Sequence, residues 1–318
     1  MLIRLNAGPD DDGRRLDRIL RKALPDCPLS LIHRTLRQGG ITVDGRVAGP
    51  AGRVRSGSSI EVRLEKEARR RKADSGPSER APLPELLASG AGILFFNKPP
   101  GLASHGRGSL DRLVKARYAD GGRESLSFRP GPLHRLDRQT GGIIAFSETL
   151  AGARLFSGLL HERKIGKTYL AVVEGPLPEG SELIWEDRLV RDAVSRKSLV
   201  CGADSGRGKD AASMVRVLAS NGRLSLIRVR IATGRTHQIR LQAAARGHPL
   251  AGDLKYGGRR IAGEENGVFF LHARKLEFHE EIEGLPRIIE AMPSEGFREQ
   301  VGRNFGREFA AELFGGET

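Results

Sequence analysis

The stretch from Pro132 to Phe146, P-L-H-R-L-D-R-Q-T-G-G-I-I-A-F, decides how the rest of the chain is read. Its polar half sets one carboxylate, Asp137, between Arg135 and Arg138, and its apolar half, Ile143 to Phe146, has the composition of a buried strand. Turns that lead into rigid strands hold reacting groups well, which makes Asp137 a candidate for chemistry. An aspartate beside arginines is more often a surface ion pair, and the chain supplies its own control. R-L-D-R occurs at 15–18 and again at 135–138. Around the first copy Leu16, Ile19, Leu20 and Leu24 recur at helical spacing, so Asp17 lies on the wet face of an amphipathic helix. Around the second, Pro130, Gly131 and Pro132 forbid a helix before the motif, and Gly141-Gly142 interrupt one after it. Asp137 is therefore the copy held in a turn by a strand.

The 318 residues leave room for two domains, and a formal net charge of +14 directs the chain toward polyanions, of which nucleic acid is the commonest. Two cysteines, Cys27 and Cys201, form no C-x-x-C pair, which argues against a disulfide framework or a zinc site. The eight histidines make no H-E-x-x-H pair, so no metal is expected. M-L-I-R-L-N-A-G at the amino end lacks a signal-peptide core, and no apolar run is long enough to span a bilayer. A cytoplasmic protein without membrane contact is expected.

In chain order, residues 10–64 look like a separate small module. A helix over Arg14–Leu24 is followed by a second that starts at a Ser30 cap and stops at Gly39-Gly40; strands follow at Ile41–Val43 and Ser59–Leu64. Arg15, Arg18, Arg21, Lys22, Arg34 and Arg37 face outward, a one-signed helix surface suited to a phosphate backbone. Residues 65–84 are charged, proline-bearing and poor in large apolar groups, the composition of a flexible basic linker. The remainder, 85–318, is strand-rich, with helices expected at Leu110–Tyr118, at Leu150–His161 (packed by Leu155, Phe156, Leu159 and Leu160), and from a Thr236 cap to about Arg246. Strands are expected at Gly92–Asn97, at Lys167–Gly175, as a short pair within Leu183–Val200, and within Phe269–Phe278, where 271–273 would cross from one strand to the next. Gly202–Asp210 reads as an open loop, Asn221-Gly222 as a hairpin between Ser213–Leu218 and Arg223–Ile231, and the tail beyond Pro286 as an amphipathic helix that packs through Phe297, Val301, Phe305 and Phe309.

Two resemblances carry the functional reading. L-S-L-I-H-R-T-L-R-Q-G-G-I-T-V-D-G-R-V, 29–47, resembles the S-four type of RNA-binding module, which implies structured RNA held through arginine contacts such as Arg15, Arg18, Arg34 and Arg37. The ordered set H-R-L-D-R-Q-T-G-G, K-T-Y-L-A-V-V-E-G, T-G-R-T-H-Q-I-R with G-H-P-L-A-G-D-L-K-Y-G, and L-H-A-R-K-L-E-F is similar to the RluA-type RNA pseudouridine synthases. This similarity spans about residues 14 to 302. It implies an α+β fold: a mixed, largely antiparallel sheet with a central cleft, beside the small α/β RNA-binding module. It implies that uridine is flipped into the cleft and isomerised with no cofactor and no metal. By motif position Asp137 would be the catalytic aspartate, Tyr169 would stack on the uracil and help remove its C5 proton, and Arg240 would pair with Asp137. Arg135 would fill the gap left by the flipped base, with Arg138, Thr140 and His237 as further substrate-binding positions. His134 and His237 are expected to bond turn backbones rather than serve as bases.

Gly141 departs from the family pattern, which commonly has serine there; a less preorganised turn is expected. The expected partner is RNA, ribosomal first and transfer RNA second, bound by a monomer. A non-catalytic RNA-binding or ribosome-assembly protein is the main alternative. A uracil-releasing glycosylase is disfavoured because these motifs offer no second carboxylate for water.

Overall fold

The computed structural model describes residues 1–64, 82–118, 125–191, 198–201, 208–261 and 268–315. The expected linker at 65–84 lies outside them except for its last three residues, as do the glycine-rich stretch after Tyr118 and most of the expected loop at 202–210.

The small module is built on strands β1 (Leu2–Asn6), β2 (Ile41–Val43), β3 (Arg46–Val47) and β4 (Ser59–Arg63), in sheet order β1-β4-β2-β3, with helices α1 (Leu16–Ala23) and α2 (Leu29–Arg37). Leu16, Ile19, Leu20, Ile32 and Leu36 from the helices close on Ile41, Ile60 and Val62 from the sheet, all at most 4% exposed. The helical spacing of those residues supplies one apolar stripe per helix. The module starts earlier than the expected residue 10, because β1 pairs along its full length with β4, from Leu2 with Arg63 to Asn6 with Ser59. Neither half of that pairing is visible locally, since L-I-R-L-N buries only its two middle apolar residues, and those only in part. Helix α2 also starts one residue before Ser30, with Pro28 at the N-cap and no capping side chain.

The large sheet runs β11-β10-β12-β13-β9-β14-β8-β6-β5, where β5 is Leu86–Gly90, β6 Ile93–Lys98, β8 Gly141–Ser147, β9 Ile165–Glu174, β10 Glu182–Arg191, β11 Ser198–Cys201, β12 Lys209–Ser220, β13 Leu224–Ile231 and β14 Leu271–Phe278. Short strands β7 (Gly131–Pro132) and β15 (Ile288–Glu290) pair with β8 and β14. Every pairing is antiparallel except β8 with β14, so the sheet is mixed and largely antiparallel as expected. Strand β8 is the rigid support its sequence promised: all seven residues are buried, and alternate side chains enter different cores. Ile144 and Phe146 join a cluster with Val114 of helix α3 (Leu110–Tyr118) and Ile239 of α5 (Gln238–Ala245). Ile143 and Ala145 face Phe156 and Leu159 of α4 (Leu150–His161). This period-two division is what a strand buried on both faces requires.

At the parallel seam Gly142 is obligatory: its φ is +102°, and a Cβ there would lie 2.3 Å from the Ala273 carbonyl oxygen. The Asn221-Gly222 hairpin forms as expected; the Asn221 side-chain oxygen accepts from the backbone N–H of Arg223 and Leu224 at 3.0 and 2.8 Å.

Several local expectations are corrected. Leu155 does not pack in α4 but is 37% exposed. The expected strand pair within Leu183–Val200 forms as β10 and β11, although β10 is ten residues long and not short, and Lys209-Asp210 open β12 instead of closing a loop. Residues 271–273 belong to one strand, with an irregularity between Ala273 and Lys275. The tail begins with β15, not a helix, and then forms α6 (Glu295–Phe305) and α7 (Arg307–Phe314), broken at Gly306. Phe297, Val301, Phe305 and Phe309 share one cluster, as their spacing indicated.

The small module meets the segment before β7 through a buried carboxylate. Asp11, fully buried, accepts from Ser125 Oγ (2.8 Å), Leu126 N (2.6 Å), Ser127 N (3.1 Å), Ser127 Oγ (2.6 Å) and Gly8 N (3.1 Å). Arg14 donates to Ser127 Oγ at 2.7 Å, and Leu126 packs against the core of the small module. Burial alone would raise the Asp11 pKa, but the hydrogen bonds from Ser127, Leu126, Ser125 and Gly8 outweigh it and hold the group below its ordinary range.

Candidate active site

Asp137 lies in the turn that feeds β8. The Thr140 N–H closes that turn onto the Asp137 carbonyl at 3.1 Å, and the turn is braced from β6. Lys98, fully buried at the end of β6, donates from Nζ to the carbonyls of Pro99 (3.0 Å), Leu102 (2.8 Å) and Arg138 (3.1 Å). Burial lowers its pKa to about 7, with the Asp137 charge pulling the other way.

Arg240 arrives from α5 in the groove of the sheet and donates from NH1 to Asp137 Oδ2 at 2.9 Å. Its other face is held by Asp253, which accepts from Nε at 2.6 Å and from NH2 at 2.8 Å. The guanidinium carbon sits 4.4 Å from the Phe269 ring centroid and 5.0 Å from that of Tyr256. Arg240 and Asp253 are 6% and 1% exposed, so this is a buried guanidinium, held bidentately and packed against two aromatic rings. An arginine so fixed has little rotamer entropy left to lose when a substrate binds.

Asp137, Arg240, Tyr169, Arg135, Thr140 and His237 all line one cavity of about 220 Å³, together with Lys167 and Leu271. The space suits a single ring system, not a duplex. Tyr169 forms its wall from the middle of β9 and is 8% exposed. Burial, then the Asp137 charge, raise its pKa well above the ordinary phenol range, so it stands as a neutral phenol. Lys167, two residues earlier on the same face of β9, is pushed down to about 8 by burial.

The remaining expected site residues divide. Arg135 is exposed at the cavity mouth. Thr140 lines the cavity but is 2% exposed, and its buried hydroxyl bonds to none of the described residues. Arg138 is not in the cavity: it is exposed, and its Nε donates to the Gly101 carbonyl at 2.8 Å, so it clamps the turn from outside. Thr236 does not cap α5. His237 does, in a left-handed conformation with φ +58° and no capping side-chain bond. Arg15, Arg18, Arg34 and Arg37 are exposed on the small module, with Arg15 paired to Asp17 at 2.8 Å.

The two histidines also part company. His134 accepts from Ala145 N at 3.0 Å and stacks on Phe156; burial drives its pKa to about 3, which makes it a neutral structural group. His237 bonds no turn backbone. Its Nδ1 meets the Tyr256 hydroxyl at 2.6 Å, and its Nε2 lies 3.5 Å from Asp137 Oδ1.

The expected serine position is also clarified. A Cβ on Gly141 would lie 3.1 Å from Nδ1 of His272, a buried histidine whose Nε2 is bonded to the Ala291 carbonyl at 2.9 Å. The imidazole of the neighbouring strand occupies the space a serine would use, so the turn is filled, not loosened.

Motif spacing missed Asp253, Tyr256 and Lys167 as site residues. The available signal was chemical: a buried arginine needs acceptors for its five N–H groups, and Asp253 in G-D-L-K-Y-G was at hand.

Among the described residues no group of three or more His, Cys, Asp or Glu is placed to hold a metal, and no helix is long and apolar enough to cross a membrane.

Comparison with known proteins agrees with the geometry. The family described as RNA pseudouridylate synthase matches residues 92–245. Ribosomal large subunit pseudouridine synthase C of Escherichia coli (strain K12) is 31% identical over 303 residues, covering 91% of this chain and 92% of that protein. Ribosomal large subunit pseudouridine synthase D of Pseudomonas aeruginosa is 32% identical over 252 residues, 78% of this chain and 75% of that one. The solved human RNA pseudouridylate synthase domain containing 4 matches with a TM-score of 0.57 at 21% identity, over 69% of this chain and 92% of its own, a likeness of fold. With the carboxylate, guanidinium and buried tyrosine gathered in one cleft of a mixed sheet, the chain belongs to the RluA-type family of RNA pseudouridine synthases.

Proposed function

We propose that this enzyme isomerises uridines of large-subunit ribosomal RNA, with Asp137, Tyr169 and Arg240 as its catalytic residues. The observation that carries the assignment is the Asp137–Arg240 contact of 2.9 Å facing a cavity walled by Tyr169. The substrate class follows from the relatives, both named for the large ribosomal subunit.

The reaction breaks the N1 glycosidic bond, turns the uracil and rejoins it through C5, so the detached base must stay enclosed. The cavity provides that enclosure, and the cost of flipping a base, a few kcal/mol, is offset by contacts to the RNA. Arg240 keeps Asp137 aimed and charge-paired for attack on the sugar or base, or for uptake of a ribose proton. Tyr169, a neutral phenol, serves as stacking wall and relay for the C5 proton, not as a standing phenolate. Arg135 at the mouth fills the vacated stack, and Thr140 is part of the wall that the base meets. The small module, through Arg15, Arg18, Arg34 and Arg37, holds phosphates of folded RNA as an S-four module does. We place the enzyme in the cytoplasm, acting as a single chain.

The test is Asp137→Asn. Pseudouridine formation in ribosomal RNA should fall below detection while RNA affinity changes less than about twofold, since the rim and module contacts are untouched. A wild-type protein that yields no pseudouridine in any cellular RNA would instead favour a binding-only role.

A further inference from the structure

Asp137 is flanked on both oxygens, and both flanking groups are set by one short turn. Residues Leu254–Tyr256 form a 3-10 turn with Asp253 at its N-cap, closed by the Tyr256 N–H onto the Asp253 carbonyl at 3.0 Å. In such a turn positions i and i+3 eclipse, so the Asp253 and Tyr256 side chains leave it on the same side. Asp253 takes the Nε and NH2 of Arg240, which leaves NH1 for Asp137 Oδ2. The Tyr256 hydroxyl meets Nδ1 of His237, whose Nε2 faces Asp137 Oδ1 at 3.5 Å.

The His237 ring is held there at a cost. A non-glycine residue with φ +58° is uncommon and strained, and it occurs here at the corner that aims the imidazole into the site. A neutral imidazole has one N–H and one lone pair, and its neighbours decide which nitrogen carries which. Were Nδ1 protonated, the Nε2 lone pair would point at carboxylate lone pairs in a site where both side chains are only 15% exposed. With Nε2 protonated, the N–H faces Asp137 and the Nδ1 lone pair receives the Tyr256 O–H. One tautomer satisfies both contacts and the other satisfies one.

We propose that Tyr256 is a positioning residue for the reaction: its hydroxyl donates to His237 Nδ1 and so fixes the tautomer whose Nε2–H faces Asp137, while Asp253 of the same turn fixes Arg240 on the opposite oxygen. Burial, against the pull of Asp137, brings the His237 pKa to about 4, so the ring is neutral and its tautomer is defined at neutral pH. The Asp137 carboxylate is thereby held by the Arg240 hydrogen bond on one oxygen and faced at 3.5 Å by the His237 N–H on the other. The proposal rests on Asp137 acting on uridine as described above.

The experiment uses the full-length 15N-labelled protein, with the His237 signals assigned by their disappearance in His237→Gln. In the wild type, long-range proton–nitrogen spectra at neutral pH should show Nε2 protonated and Nδ1 bare. Tyr256→Phe keeps the ring against Arg240 and removes only the hydroxyl. It should mix the two tautomers and lower kcat about tenfold, the worth of one good hydrogen bond, with KM within about twofold. Protonated Nδ1 in the wild type overturns the proposal, and so does an unchanged kcat in Tyr256→Phe. A wild type that makes no pseudouridine would defeat the functional reading, while the nitrogen spectra would still decide the tautomer.

Discussion

Removing the Asp11 carboxylate should uncouple the small module from the catalytic sheet, and the structure sets the scale of the effect. Five donors converge on one fully buried carboxylate, three of them backbone N–H groups that cannot turn away. Hydrogen bonds to a charged acceptor contribute about 1.5–3 kcal/mol each, but they are not additive, and water entering the gap restores part of the loss. Breaking one partner out of a buried charged network costs roughly 3–5 kcal/mol, so about 3 kcal/mol is expected for Asp11→Ala. Asp11→Asn should be nearly as damaging. Its amide nitrogen must replace either Oδ1, facing the Ser127 N–H, or Oδ2, facing the N–H groups of Leu126 and Gly8. Either placement sets donor against donor. Hydrogen exchange reads the effect directly: the Leu126 and Ser127 amides should be protected in the wild type and lose about two orders of magnitude of protection in both variants, following the loss in stability. A double-mutant cycle with Ser127→Ala should return a coupling of at least about 1 kcal/mol. Amides at 126 and 127 that exchange equally fast in wild type and Asp11→Ala would refute the clasp. The pH dependence has a defined sign. The folded pKa lies below the ordinary 3.8, so the contribution is complete above about pH 4 and is lost only as pH falls further, through the folded value. Docking should therefore be insensitive to pH across the neutral range.

Other measurements bear on the rest of the molecule. His134, His237 and His272 have pKa values lowered by burial to about 3, 4 and 4, so the unfolded chain binds more protons below its ordinary histidine value of 6.5. Stability should then fall as pH drops from 6.5 toward 4, by on the order of 1 kcal/mol per pH unit per histidine, and urea titrations flat over that range would contradict the neutral assignments. Gly141→Ser should destabilise by about 1 kcal/mol, a few degrees in Tm, because His272 is pinned at Ala291 and cannot yield to the new Cβ; a rise in Tm would mean the imidazole moves freely. Replacing Arg18, Arg34 and Arg37 by glutamine should weaken RNA binding and flatten its logarithmic salt dependence by roughly 0.7–0.9 for each phosphate no longer neutralised, and an unchanged slope would remove the module from the RNA interface.

How much of this was legible in the sequence depends on the range of the interactions involved. Helix α3 falls on its expected residues, Leu110–Tyr118, and α4 on its own, Leu150–His161, because each carries its apolar stripe within a single segment. Strand β8 was legible for the same reason, as an apolar run opened by two glycines. Strand β1 was not, since five alternating residues become a strand only when Ser59–Arg63 lies alongside them. Strands β5 and β15 failed likewise: L-L-A-S-G has little β character, and Ile288–Glu290 is a strand only through its pairing with Lys275–Glu277.

The site shows the same division more sharply. Asp137, Tyr169 and Arg240 were nameable because ordered motifs resemble those of a family, yet no local property of Arg240 marks it: its place in α5 sets it one turn after Thr236 and gives it no role. What distinguishes it is that two of its three nitrogens are taken by Asp253 and that its guanidinium lies against the rings of Tyr256 and Phe269. Those partners come from two places in the chain, the turn at Asp253–Tyr256 and Phe269, and burial is what makes them obligatory. A guanidinium exposed to water can be left to its solvent, but one that is 6% exposed needs acceptors and packing partners from the protein. The same reasoning bears on the Arg240→Lys exchange. An ammonium has no fork to span Asp253 and reach Asp137 together, and no plane to lie against the aromatic rings, so the exchange keeps the charge and loses the aim. The variant should therefore bind RNA normally and fail in turnover. Wild-type kcat in Arg240→Lys would mean that charge alone, and not the held geometry, is what Asp137 needs.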